Sequence, residues 1–245
     1  CADMMAEFMD PKILAGLGLE SHGNSDGKKT APSVISSHER DQRIRNTYAM
    51  VDLIDQGIGK MLSALEETGE LDNTVIVFLS DHGELMGDHG TWLKGPFFYD
   101  GLVQTPLLIR APGRTGTETD ALVSSIDLFP TCCELLNIPV PYQCDGVSQT
   151  PAYDGSTPRT ECLIEYRNGY LSNDDYTLVY VDKDYKFSQD QNGEFEMTDR
   201  KQDPEENVNI LANGQNPELL NEYRSKLLQM LLSTASRFPK QYCHA

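Results

Sequence analysis

The chain has 245 residues and a formal charge of −18, from 20 Lys and Arg against 38 Asp and Glu. That length suits one large domain or a domain with a smaller appendage, and it can bury a sizeable core. The acidic excess repels phosphate backbones and argues against nucleic acid as a partner, and no apolar run reaches the roughly 18 residues of a membrane span.

Residues 1–35 are mixed, and "GLGLESHGNSDGKKTAPS" reads as surface loop. From Ser36 onward Ile44, Tyr48, Val51, Ile54, Ile58, Met61 and Leu65 recur in steps of three and four. That spacing predicts one long helix, capped at Ser36 or Ser37 and stopped by Gly69. After "ELDN", the β-branched and aromatic run 74–79 predicts a strand covered on both faces in a parallel sheet. "TPLLIR" (105–110) is a second strand, and "SSIDLFPTCCELLNIP" gives a helix from about Ser125 to Asn137, with Pro130 in its first turns.

Beyond residue 150 the texture changes. "ECLIEY", "YTLVYV", "YKFSQD" and "GEFEMTD" are strand-like runs divided by "RNGY", "NDD", "DKD" and "QNG", the turn chemistry of hairpins in an antiparallel sheet. A last helix starts with Pro217 at its first position and carries Leu220, Tyr223, Leu227 and Leu231 on one side. The expected fold is therefore α/β, with residues 1–150 as the main domain and 151–245 as a small antiparallel-sheet subdomain with a terminal helix. Six cysteines, including the neighbours Cys132 and Cys133, show neither CxxC spacing nor disulfide-scaffold density and leave the compartment open. The chain has no starting Met and no signal-peptide layout, and it reads as beginning inside a longer protein.

The chemistry concentrates in "SDHGELMGDHGTWLK", residues 80–94. Ligands of open sheets collect at the carboxyl ends of strands, where this loop begins. There Asp81 and His82 can both ligate a divalent cation, through oxygen and a ring nitrogen. The bland alternative is an Asp that caps loop amides beside a surface His. His89 either lines the pocket rim or hydrogen-bonds the loop, while Trp92, Phe97, Phe98 and Tyr99 supply apolar walls.

"SDHGE", "GDHG" and "WLKGPFFYDGLVQTPLLIRAPG" together resemble the sulfatase family of the alkaline-phosphatase-like superfamily, in its carboxyl-terminal portion. The likeness extends to "YAMVDLIDQGIGKMLSALEETGELDNTVIVFLSDHG", to "VSSIDLFPTCCELLNIPVP" and, less closely, to the tail "GEFEMTDRKQDPEENVNI". It implies an alkaline-phosphatase-like, mostly parallel sheet flanked by helices, and a sulfuric ester hydrolase acting on a sulfate-ester small molecule or glycan. It implies Asp81 and His82 as metal ligands, and Lys94, thirteen positions after Asp81, as the group touching the sulfate. Lys94 from the resemblance and His89 from its place in the loop are the catalytic candidates. The implied cofactor is a divalent metal, Ca²⁺ favoured and Mn²⁺ the alternative.

The family's nucleophile is a formylglycine made from a Cys-x-Pro-x-Arg or Ser-x-Pro-x-Arg segment, accompanied by an amino-terminal Asp pair. The sequence carries neither, and His22 and His38, the only histidines upstream of the metal loop, lie in surroundings that do not match the family's active-site His. The expectation is that the chain is the carboxyl-terminal part of a longer enzyme and inactive alone. Its missing amino-terminal half would be its partner, and the exposed sheet edge would favour a homo-oligomer in its absence. A phosphonate or phosphate ester hydrolase of the same superfamily is the alternative enzyme; a non-catalytic binding subunit is the alternative from another class.

Overall fold

The computed structural model describes residues 36–90, 92, 94–142, 144–168 and 175–235. The loop reading of residues 1–35, including His22, and the turn at 169–174 lie outside them. The backbone divides into two compact units, one of Cys1–Ile58 and Glu84–Phe97, the other of Gly59–Gly83 and Phe98–Ala245.

The long helix is present as α1 (Ser37–Glu67). Ser36 caps it: the Glu39 amide donates to the Ser36 hydroxyl at 3.3 Å, and the Ser36 amide donates to the Glu39 carboxylate at 3.0 Å. This reciprocal pair satisfies two amides that the first turn leaves without partners. Gly69, at φ 73°, terminates the segment in the left-handed region. No residue of α1 is buried, and Tyr48, Leu53 and Met61 are each more than 60% exposed. The apolar spacing thus forms the helix correctly without being covered, because an amphipathic stripe records what a face can bury and not what lies against it.

In the second unit, β1 (Ile76–Leu79) pairs with β2 (Leu107–Arg110), Val77 opposite Ile109. The two run antiparallel, although the apolar run predicted a parallel neighbour. β1 is also half-buried, with Leu79 44% exposed, where coverage on both faces was expected. A continuous apolar run measures a strand's capacity for burial; the direction of its neighbour is set by pairing, which single-strand composition does not encode. Arg110 pins the pair by donating to the Leu71 carbonyl and to Asp72, the latter at 3.0 Å.

Between the pair sits the one-turn helix α2 (Asp100–Val103), and after it α3 (Leu128–Leu135), entered through a 3₁₀ turn at Ser125–Asp127. Pro130 is the third residue of α3, where its missing N–H costs nothing. The base of α3 is built around Asp127, which is fully buried. Its carboxylate accepts from the Ser124 amide at 2.9 Å, the Val147 amide at 2.8 Å and the Gln149 side chain at 3.0 Å. Arg159 adds a two-pronged contact, with Nε at 2.7 Å.

The antiparallel sheet has the order β3 (Glu161–Asn168), β4 (Asp175–Asp182), β5 (Tyr185–Asp190), β6 (Phe195–Asp199). Lys183 and Asp184 make the two-residue turn between β4 and β5, and Gly193, at φ 86°, supplies the positive φ of the next turn. One face of this sheet packs on α4 (Pro217–Ala235) through Tyr180, Phe187, Met197, Tyr223 and Leu227. Tyr223 meets Tyr180 and Tyr185 edge-on, at ring centroids of 5.7 and 5.5 Å. Met230 takes the place in this core that the helical spacing had given to Leu231.

The Tyr223 hydroxyl donates to Asp182 at 2.7 Å, where the turn amides of Asp184 and Tyr185 also converge. Burial pushes the Asp182 pKa up, but these donors and Lys226 outweigh it and hold the carboxyl below its ordinary value. A depressed folded pKa contributes stability that is present above the unfolded value, about 3.9, and lost as pH falls through the folded one. Asp182→Asn is therefore expected to cost stability at pH 7. In urea titrations the gap to wild type should be constant above about pH 5 and should shrink below about pH 4. A gap independent of pH would rule out the linkage.

Candidate active site

The stretch 80–83 follows β1 directly and folds back on itself. The Ser80 hydroxyl donates to the His82 carbonyl at 2.8 Å, and the His82 amide donates to Asp81 Oδ1 at 3.0 Å. His82 Nδ1 lies 2.8 Å from the Gly83 carbonyl. A carbonyl only accepts, so Nδ1 carries a proton, and in the neutral imidazole Nε2 carries the lone pair. Nε2 in turn faces Asp81 Oδ2 at 3.5 Å. One imidazole nitrogen and one carboxylate oxygen therefore converge, oriented by the backbone of their own loop. Their separation is less than the sum of a metal–nitrogen and a metal–oxygen bond, each about 2 to 2.5 Å, so both can reach one divalent cation.

Gly83 explains why the loop turns here. Its amide donates to the Leu102 carbonyl at 2.7 Å. A Cβ built at Gly83 would sit 2.0 Å from the Gly101 carbonyl oxygen, so only glycine permits this approach of α2 to the loop.

The other two candidates belong to the first unit. Met86, Gly87, His89 and Gly90 all have positive φ, of 51°, 100°, 52° and 71°, in a segment folded into two successive tight turns, closed by the Asp88 amide on the Leu85 carbonyl at 2.8 Å and the Gly90 amide on the Gly87 carbonyl at 3.1 Å. Among the described residues of this unit, Arg43 of α1 lies over the Trp92 ring at 5.3 Å, and a Cβ built at Gly87 would meet the same ring at 3.2 Å. Lys94 is exposed. Trp92 thus acts within its unit as a packing residue for the loop.

Among the described residues no group of three or more His, Cys, Asp and Glu gathers, so Asp81 and His82 stand as a pair. None of the cysteines described, Cys132, Cys133, Cys144 and Cys162, is in a disulfide. Burial pushes the Cys162 thiol up to about 11, which keeps it protonated and unreactive near neutrality. No helix among the described residues is long and apolar enough to cross a membrane.

Sequence reasoning passed over a buried ionic cluster that touches the same region. Lys186 of β5, 6% exposed at its side chain, donates to the Phe98 carbonyl at 2.9 Å and to the carboxylates of Asp100 and Glu206. The available signal was a lysine between two aromatic residues in "YKFSQD". Its neighbour Phe187 points into the core on the opposite face.

Comparison with known protein families decides the affiliation. The family model described as Sulfatase matches residues 9–138. The chain belongs to the sulfatase family. A second model, described as N-sulphoglucosamine sulphohydrolase, C-terminal, matches residues 87–233 of this sulfatase-family chain. A relative, the N-acetylglucosamine-6-O-sulfatase of Bacteroides thetaiotaomicron, is 30% identical over 224 residues, covering 83% of the chain and 38% of the relative. The crystal structure of the phosphonate monoester hydrolase of Agrobacterium radiobacter superposes with a TM-score of 0.76 at 28% identity, over 85% of the chain and 45% of that protein. A structure solved with its substrate D-glucosamine-2-N,6-O-disulfate superposes with a TM-score of 0.67 at 27% identity, over 86% of the chain and 44% of that protein. The sulfatase-family chain has the alkaline-phosphatase-like fold of these neighbours, mixed helix and sheet with a four-stranded antiparallel sheet and helix at the carboxyl-terminal end. It spans 38% of the length of that relative and 44–45% of those two structures.

Proposed function

We propose that this chain contributes the carboxyl-terminal part of a metal-dependent sulfuric ester hydrolase, with Asp81 and His82 as two of the cation's ligands. The observation that carries the reading is the convergence of Asp81 Oδ2 and His82 Nε2 to 3.5 Å at the end of β1, in a chain of the sulfatase family. Asp81 supplies anionic oxygen and is held by its neighbour's amide. His82 supplies neutral nitrogen, its tautomer set by the Gly83 carbonyl. Bound there, a divalent cation, Ca²⁺ by preference and Mn²⁺ as the alternative, would supply Lewis acidity and orientation to a sulfate-ester oxygen. Lys94 is assigned to offset negative charge on the sulfate and His89 to the rim of the same site; a cationic group so aimed is worth on the order of 10²-fold in rate.

The nucleophile is assigned to a portion of the enzyme upstream of these residues, a reading supported by the absence of a Cys-x-Pro-x-Arg or Ser-x-Pro-x-Arg segment from the 245 residues. Residues 1–150 are read as the site-bearing part and 151–245 as the supporting subdomain. The proposed substrate is a sulfated glycan, supported by the hexosamine sulfatase among the relatives and by the neighbour solved with a sulfated glucosamine. The phosphonate monoester hydrolase among the neighbours favours a second reading, hydrolysis of phosphonate or phosphate esters.

Two protein ligands leave most of the coordination shell to water, so calorimetric titration of the chain with Ca²⁺ is expected to give a Kd on the order of 10⁻⁴–10⁻³ M, abolished by Asp81→Asn. Nanomolar affinity, or affinity untouched by that substitution, would remove the pair from the site. The chain alone is expected to show no multiple turnover on nitrophenyl sulfate. When it is expressed together with the upstream portion, hydrolysis of nitrophenyl sulfate is expected. Hydrolysis of the phosphonate and phosphate esters alone would select the second reading.

A further inference from the structure

The cation-binding reading leaves open what holds the 80–83 loop, which is half-exposed at His82 and largely exposed at Asp81. The loop's own bonds orient the two side chains. A tie to the rest of the unit runs through Gly83, whose amide bonds the Leu102 carbonyl and whose Cα lies against the Gly101 carbonyl. Both carbonyls belong to α2, four residues long and too short to hold itself in place.

Its anchor is at its first residue. Lys186 Nζ, 86 residues further along the chain, grips the Phe98 carbonyl and the Asp100 carboxylate at once. Glu206 completes the ring, taking the same ammonium on one oxygen and the Asp100 amide, at 2.6 Å, on the other. Glu206 sits at φ 56°, a left-handed conformation that a non-glycine residue holds only where its surroundings impose it. It lies in "DPEENVNI", so the tail segment of the sequence acquires a job. Arg200 stands at the margin of the ring, 4.0 Å from Asp100. From Asp100 the helix is continuous to the loop: the amides of Leu102 and Gln104 bond the carbonyls of Tyr99 and Asp100 at 2.8 and 2.9 Å.

We propose that Lys186 is a positioning residue for the metal loop, fixing Asp81 and His82 from the antiparallel sheet through Asp100, α2 and Gly83. The proposal rests on the cation-site reading for its consequence and on the hydrogen-bonded path for its mechanism. A buried ammonium between two carboxylates loses most of its worth when replaced by a neutral group, because both anions are then left uncompensated. The segment they belong to is expected to drift, and the loop with it.

The test uses the 245-residue chain with Lys186→Met, Lys186→Arg and the milder Asp100→Asn. Amide hydrogen exchange is followed at Gly83 and, as an internal standard for global stability, at Val179 and Tyr180 of β4. In Lys186→Met, Gly83 protection is expected to fall about tenfold more than protection in β4, and Lys186→Arg, which keeps the charge, is expected to restore most of it. Should Lys186→Met fail to fold, Asp100→Asn is expected to show the same selective loss, smaller in size. Equal loss at Gly83 and in β4, or no loss at Gly83, overturns the proposal. Titration with Ca²⁺ alone separates the two readings: wild type that binds none removes the cation reading and leaves the exchange result to judge the tether. Where wild type binds, a Lys186→Met affinity about tenfold weaker is expected, and unchanged affinity overturns the positioning role.

Discussion

Asp127→Ala is expected to cost 3–5 kcal/mol in urea unfolding, the largest stability loss of any single substitution outside the hydrophobic core. The carboxylate is fully buried and answers five donors: the amides of Ser124 and Val147, the Gln149 side chain and two nitrogens of Arg159. Alanine removes the acceptor and leaves every donor in place. Arg159, 11% exposed, then carries an uncompensated charge, and the Val147 amide loses its acceptor. Asp127→Asn keeps the shape and two acceptor lone pairs but turns one oxygen into a donor aimed at other donors, so an intermediate loss is expected. If the alanine variant lost less than about 1 kcal/mol, bulk water would have to reach the site, contrary to its burial.

Asp127 also illustrates how much of the fold the sequence carries. "SSIDLFPT" announces a helix start, since Ser and Asp three apart at the head of an apolar run are capping chemistry, and the helix is found there. The same Asp's second task, holding residues 147–159 against α3, depends on chain that comes 20 to 32 residues later and has no local signal. The four strands of the antiparallel sheet were legible for the same local reason: Asp-Lys-Asp and Gln-Asn-Gly are turn residues whatever lies around them. The pairing of β1 with β2 was not legible, because direction and coverage are properties of neighbours and the apolar run of β1 is compatible with several.

The site divides along the same line. Asp81 and His82 are adjacent in sequence at the end of a recognisable strand, so their juxtaposition is nearly local, and the bonds that orient them come from residues 80–83. Lys94 and His89 fall in the other compact unit; the role given to Lys94 rests on the family's pattern and that given to His89 on its place in the loop. Lys186, Asp100 and Glu206 come from three segments more than 80 residues apart at the extremes and were invisible one residue at a time. A lysine inside a strand ordinarily reads as a solvated face. Only the register that turns Phe187 into the core turns Lys186 toward Phe98.

Gly83→Ala is expected to be the most damaging substitution for the site itself. The added methyl would lie 2.0 Å from the Gly101 carbonyl oxygen and 3.2 Å from the Leu102 Cα, and a contact shorter than 3.0 Å forces something to move. The obstacle is backbone, so no rotamer change relieves it; the loop and α2 must separate by about 1 Å or more. That separation breaks the 2.7 Å bond from the Gly83 amide to the Leu102 carbonyl, and it shifts the Gly83 carbonyl that fixes the His82 tautomer. Overpacking of this kind costs about 1–3 kcal/mol, while the loss of an orienting partner costs about 10- to 100-fold in metal affinity. Gly87→Ala is the control: its φ of 100° makes it comparably strained, but its added methyl would meet the yielding edge of the Trp92 ring at 3.2 Å, in the other unit. In Ca²⁺ calorimetry, with urea unfolding alongside, Gly83→Ala should lose affinity out of proportion to its stability and Gly87→Ala should not. Equal behaviour of the two variants would mean that strain anywhere in the segment disables it, and the geometry at 81–83 would lose its special standing.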